Sequence, residues 1–167
     1  MAKPVYTLAV YLYDAPVSEK FAEANPVVSR RIQIRGSQTL EQLHRAIFKA
    51  FDRWEEHMYE FHFGPGPRDY SRGRYGIPGP SGLFALVDRD EPTSDAAKTK
   101  MSSLGLEVGQ SFGYLFDFGD DWYHQIDVVA IGEAEPNLKY PRVTDRTGDS
   151  PPQYMEEEDD DWEDDDE

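Results

Sequence analysis

The amino-acid sequence predicts an α+β fold: an antiparallel or mixed β-sheet with one main amphipathic helix packed on one face, plus a disordered acidic C-terminal tail. Three observations carry that expectation. Period-two runs rich in β-branched and aromatic residues recur along the chain. Residues 39–51 show helical periodicity behind a capping signal. The last twelve residues hold eleven carboxylates and one aromatic, Trp162.

The elements follow in order. In residues 4–13, Tyr6, Leu8, Val10 and Leu12 share one face at period two, which reads as a strand. Residues 14–26, with Pro16 and Pro26, read as a polar loop. A second strand spans 27–35, with Val28, Arg30, Ile32 and Ile34 on one face and Ser29, Arg31, Gln33 and Arg35 on the other. That half-polar alternation suits an antiparallel sheet with one wet face. Thr39 and Gln42 have capping-box spacing, and Leu40, Leu43, Ile47, Phe48 and Phe51 form the apolar stripe of the helix. The helix is expected to pack on the first two strands. Residues 57–63 alternate again as a third strand. Residues 64–82 form a long Gly/Pro/Arg loop that sustains neither helix nor central strand. Residues 83–87 read as a short strand, and residues 95–101 as a helical turn or two. Residues 112–117 and 122–131 form a hairpin around Phe118, Gly119, Asp120 and Asp121. Residues 132–155 read as irregular.

Charge is unevenly spread. The 167 residues carry 17 basic and 33 acidic side chains, a formal charge of −16. Without residues 156–167 the balance is 22 acidic to 17 basic, or −5. The expected organisation is one domain over residues 1–150 and a disordered acidic tail over 151–167. The tail has no Gly-punctuated loop, so it does not read as a tight calcium site. With no cysteine, disulfides, Cys-ligated zinc and thiol nucleophiles are excluded. No stretch approaches the ~18 apolar residues of a membrane span, and the N-terminus lacks signal-peptide features. The expectation is a cytoplasmic protein with no membrane association and no cofactor.

Three passages carry a family resemblance. The first is the helix Leu40, Glu41, Gln42, Leu43, His44, Arg45, Ala46, Ile47 with Ala50 and Phe51. The second is Trp54, Glu55, Glu56, His57, Met58, Tyr59, Glu60, Phe61. The third and most specific runs from Phe112 through Tyr114, Phe116, Asp117, Phe118, Gly119, Asp120, Asp121 and Trp122 to His124. Over residues 4–154 the chain resembles the plasmid pRiA4b ORF-3-like family, also described as transposon-passenger TnpR-like proteins. The resemblance implies a fold and a mobile-element association but no reaction. Two departures stand out. The Trp of the family's second strand is missing around Pro26–Arg31, and its C-terminal Cys-Pro-Pro-Glu-Asp element is reduced to Ser150, Pro151, Pro152, Gln153 and Tyr154.

Two constellations could carry function. His44, His57 and His124, with Asp117 or Asp120, are expected to converge at one end of the sheet. Such side chains serve as acid and base or as metal ligands; His57, His124 and Asp120 are the metal candidates, although no ligand-type spacing joins them. His62 lies five residues from His57 and so faces the other way on a continuous strand. Asp117, Phe118 and Gly119 match a kinase tripeptide, but the chain lacks the Gly-rich nucleotide loop. Turn formation explains them instead, with Gly119 at positive φ, Asp117 and Asp120 accepting backbone N–H bonds, and Trp122 in the core. The second constellation is Arg68, Arg72 and Arg74 interleaved with Tyr70 and Tyr75, joined by Arg30 and Arg31, a pattern able to grip and stack on nucleic acid. Residues 151–154 also fit a Pro-Pro-x-Tyr ligand of WW domains. The reading is a non-catalytic binding or adaptor module, linked to mobile elements or nucleic acid or to a basic protein partner. The alternative is a small hydrolase or metalloenzyme built on the His/Asp set.

Overall fold

The computed structural model describes residues 4–78 and 93–154. The expected strand at 83–87 and the acidic run 156–167 lie outside the described residues. The fold is a mixed α+β arrangement dominated by one eight-stranded, mostly antiparallel sheet. Its strands are β1 (Pro4–Asp14), β2 (Ser29–Arg35), β3 (Tyr59–Phe63), β4 (Gly73–Gly76), β5 (Ser94–Asp95), β6 (Ser111–Phe116), β7 (Trp122–Glu133) and β8 (Arg142–Thr147). Their order across the sheet is β5-β4-β3-β6-β7-β1-β2-β8, and only β4 and β5 pair in parallel. Among the described residues there are two α-helices, α1 (Glu19–Ala24) and α2 (Leu40–Ala50). Neither is long and apolar enough to cross a membrane.

Several expectations need adjustment. The polar loop at 14–26 contains α1, whose N-cap Ser18 accepts from the Phe21 N–H at 3.0 Å. The long loop contains β4, and residues 132–155 contain β8, whose exposed positions lack an apolar pattern because it is an edge strand. The helical turns near 95–101 are two 3-10 segments, Ala96–Lys98 and Met101–Leu104.

Helix α2 forms as its sequence dictates. The Gln42 N–H donates to Thr39 Oγ1 at 3.2 Å, and the Thr39 N–H donates to Gln42 Oε1 at 2.9 Å, closing the capping box. Its buried face comprises Leu40, Leu43, His44, Ala46, Ile47 and Ala50. That face lies against Tyr6, Leu8 and Val10 of β1, Ile32 and Ile34 of β2, and the aromatic rows of β3 and β6. His44 enters the stripe in place of Phe48, which is only partly buried.

The register fixes a second face. Thr7, Ala9 and Tyr11 of β1 stand opposite Gln33, Arg31 and Ser29 of β2, and on the other side Tyr11 stands opposite Gln125 of β7. Gln125 in turn faces Gly113 of β6, and Gly113 faces His62 of β3. Toward β8 this face is open: Arg31 is exposed and Thr7, Ser29, Gln33, Arg35 and Gln125 are half-buried.

Candidate functional site

The helix side of the sheet collects most of the expected acid–base residues. Tyr114 and His124 are cross-strand partners on β6 and β7, directly under α2. His44 Nδ1 meets the Tyr114 hydroxyl at 2.5 Å, and its Nε2 meets Glu56 Oε1 at 2.5 Å. The His44 ring also stacks on Tyr59, with ring centres 3.7 Å apart. A neutral imidazole satisfies both bonds, donating from Nε2 to the carboxylate and accepting the phenol proton at Nδ1. Burial holds the His44 pKa down to about 4, against the opposing pull of Glu56.

His124 is fixed by a different partner. A guanidinium only donates, so Arg53 Nη2 donates to His124 Nε2 at 2.8 Å. The proton then sits on Nδ1, which donates to the Tyr114 carbonyl at 3.1 Å. Burial, followed by the Arg53 charge, keeps His124 well below the ordinary histidine range. Arg53 itself sits among the rings of Phe51, Phe116 and Trp122 at 4.8–5.2 Å. Burial brings its pKa down to about 10. Its Nη1 and the Trp122 indole N–H are buried without hydrogen-bond partners.

His57 belongs to the rim. Its Nε2 lies 2.6 Å from the Tyr154 hydroxyl and 3.5 Å from both Glu55 and Asp117. Asp117 Oδ1 accepts from the Gly119 and Asp120 N–H groups at 3.0 and 3.2 Å, as the turn reading expects. The left-handed backbone falls on Asp117 and Asp121, however, and not on Gly119. Asp120 is exposed, and Trp122 is in the core. His44, His57 and His124 therefore gather around Phe116 and Tyr114 but their side chains bond to different groups, while His62 lies on the other face, 3.0 Å from Glu60. Among the described residues, no three His, Asp or Glu side chains are placed to hold a metal ion.

The C-terminal Pro-Pro-Gln-Tyr stretch is an internal strap. Gln153 Oε1 accepts from the Trp54 and Glu55 N–H groups, and its Nε2 donates to the Glu55 carbonyl at 2.7 Å. Pro151 and Gln153 are buried, so the packed chain continues past the expected boundary at residue 150.

The arginine candidates divide. Arg30 is buried on the helix side; it donates to the carbonyls of Ala50, Ser29, Thr147 and Gly148 and to Ser150 Oγ. That is a staple and leaves nothing for a phosphate. Arg74 is also buried, 2.9 Å from Glu60, with Tyr70 across its guanidinium. Arg68 pairs with Asp121 and Asp14 and covers the Tyr123 ring. Arg31 and Arg72 are exposed and have no side-chain ion pair among the described residues. Tyr70 is exposed, whereas Tyr75 is half-buried against Phe63.

On this second face lies a cleft of about 440 Å³ between the 64–67 run and the β6–β7 hairpin. Arg72, Ser111, Gly113, Tyr123 and Gln125 bound it. Sequence reading passed over Ser111, Gln125 and Arg53, because a lone Gln or Ser has no spacing signal and Arg53 stands outside any basic cluster, and it read Gln153 only as part of a Pro-Pro-x-Tyr stretch.

Comparison with known proteins agrees with this architecture. The chain superposes on the crystal structure of MM3350, a protein of unknown function from Methanosarcina mazei Go1, with a TM-score of 0.63 and 24% identity over 86% of this chain and 70% of that one. That likeness shows the fold. Over 131 residues the chain is 30% identical to Uncharacterized protein y4hQ of Sinorhizobium fredii (strain NBRC 101917 / NGR234), covering 77% of this chain. It spans 59% of the length of that curated relative. A family model matches residues 17–159, taking in the α2 helix, the Trp54–His57 passage and the Asp117–His124 turn, and so the chain belongs to the plasmid pRiA4b ORF-3-like family.

Proposed function

We propose that the protein is a non-catalytic binding module that presents the open face of its sheet to single-stranded nucleic acid. One observation carries the reading. The side chains that would do chemistry are engaged in separate bonds, with His44, Tyr114 and His124 buried, while the opposite face carries unpaired arginine and exposed tyrosine. A general acid or base must reach its substrate within hydrogen-bond distance, and both ring nitrogens of His44 and of His124 are already used. On the open face, Tyr11 and Tyr13 are exposed, Arg31 is unpaired, and Arg35 lies at the half-buried end of β2. Aromatic faces accept bases by stacking and arginines hold the phosphates. The family takes its description from a plasmid reading frame, and a nucleic-acid partner fits a mobile-element role.

The test is fluorescence anisotropy with labelled single-stranded DNA and RNA of mixed sequence at two salt concentrations. Binding should weaken with salt, with a log–log slope of about −0.7 per phosphate contacted. Arg31→Ala should reduce affinity severalfold at low salt while leaving the melting temperature almost unchanged, because its side chain is exposed and bonds to no described residue. No binding of either nucleic acid at 50 mM salt, taken as an approximate low-salt condition, would overturn the reading.

A further inference from the structure

The cleft beside β6 and β7 is continuous with the open face, because Gln125 at its edge stands directly opposite Tyr11 of β1. Its polar groups are already oriented. Asp127 Oδ1 accepts from Ser111 Oγ at 2.6 Å and from Gln125 Nε2 at 2.9 Å. This holds the Gln125 amide in one orientation and leaves its Oε1 and second amide hydrogen without a partner among the described residues. An amide edge of one acceptor beside one donor matches adenine, which offers the N6 amino group and the N7 acceptor side by side.

The cleft is also shaped. A Cβ on Gly113 would lie 1.9 Å from the Tyr123 hydroxyl, so the bare glycine lets the phenol lie across the strand. The Arg68 N–H donates to that hydroxyl at 2.6 Å and fixes it. Across the opening stands Arg72, exposed and in no salt-bridge contact among the described residues, its charge felt by the Asp69 carboxylate. The Asp69 carboxylate nearby is taken up by the Ser71 N–H at 2.8 Å. A volume of about 440 Å³ falls within the range of small-ligand sites.

We infer that this cleft is an adenine-nucleotide subsite: Gln125 reads the base edge, Tyr11 flanks the base from the neighbouring strand, and Arg72 holds the phosphate. The inference rests on the open-face reading and gives it a base preference. Isothermal titration of the full chain with AMP, CMP, GMP, UMP, adenosine and inorganic phosphate tests it. AMP should bind tightest, by about tenfold over the pyrimidine nucleotides, the lower range of bidentate base discrimination. Gln125→Ala should abolish that preference, and Arg72→Ala should weaken AMP but not adenosine. Thermal melts of both variants confirm that they fold. Equal binding of all four nucleotides, or binding of phosphate alone, overturns the subsite. If oligonucleotides still bind the open face while AMP does not bind, the subsite fails and the open-face reading stands. If AMP binds with the predicted preference but mixed oligonucleotides do not, the open-face reading fails and the subsite stands.

Discussion

Arg30 and Arg31 are neighbours in β2 and lie on opposite faces of the sheet. Arg30 points under α2 and bonds to the carbonyl of Ala50, the last residue of the helix, and to those of Thr147 and Gly148 at the end of β8. Arg31 points to the open side and is exposed, and its guanidinium makes no hydrogen bond or ion pair among the described residues. The histidines repeat the contrast in milder form: His44 and His124 are buried, and His57 sits at the rim. On the helix side, Arg30, His44 and His124 survive burial because each is matched to specific acceptors or donors, which makes them parts of the scaffold. On the open side, the Arg31 guanidinium has no such match among the described residues and is placed to meet a partner.

The largest test of this contrast is the arginine pair. Arg30→Ala removes five hydrogen bonds and the contact over the Phe51 ring that tie β2 to the end of α2 and to the chain after β8. It should destabilise the protein by more than about 4 kcal/mol in urea melts, in the range that marks loss of a buried network. Arg31→Ala should change stability by less than about 0.5 kcal/mol. Comparable losses from the two variants would erase the distinction between the faces.

Acid should break the helix side next. Burial depresses the His44 pKa from 6.5 in the free side chain to about 4 in the fold. Between those values the unfolded chain takes up a proton that the native protein refuses, so stability falls as pH drops from about 6.5 and levels off below about 4. The depression corresponds to roughly 3 kcal/mol. His124, also held low, adds to the loss in the same direction. In urea melts across this range, His44→Gln should start less stable at neutral pH and show a shallower acid slope than the parent protein. An unchanged slope would show that His44 is not the group responsible.

These two tests probe what the sequence could and could not reveal. The α2 helix was legible because its cap and stripe are local, and so was the β6–β7 hairpin with its Asp117 turn. Strand β8 was not, since an exposed edge strand buries no alternating row. The site was legible as a set of residues rather than as an arrangement. The pattern that joined Arg30 to Arg31 as a basic cluster also assigned them to opposite faces, and only the helix packed above β2 explains why one of them is a staple. Arg53 and Gln153 act across more than seventy residues of chain, at His124 and at the Trp54–Glu55 backbone. No local pattern marks such contacts.

The smallest expected effect sharpens the open face rather than the fold. Residues 156–167 supply eleven carboxylates on the same chain as Arg31, Arg35 and Arg72. A tethered acidic segment competes at an effective concentration of order millimolar, without needing a fixed structure. Under the proposed function it acts as an internal rival to phosphate. Removing residues 156–167 should therefore tighten single-strand binding by less than about tenfold at low salt, an effect of roughly 1 kcal/mol. The gain should shrink as salt screens both the tail and the nucleic acid. Stability in urea should not follow, because the strap that ends at Tyr154 remains in place. If truncation leaves affinity unchanged at every salt concentration, the tail is a solubilising appendage and the arginines of the open face have no competitor within the chain.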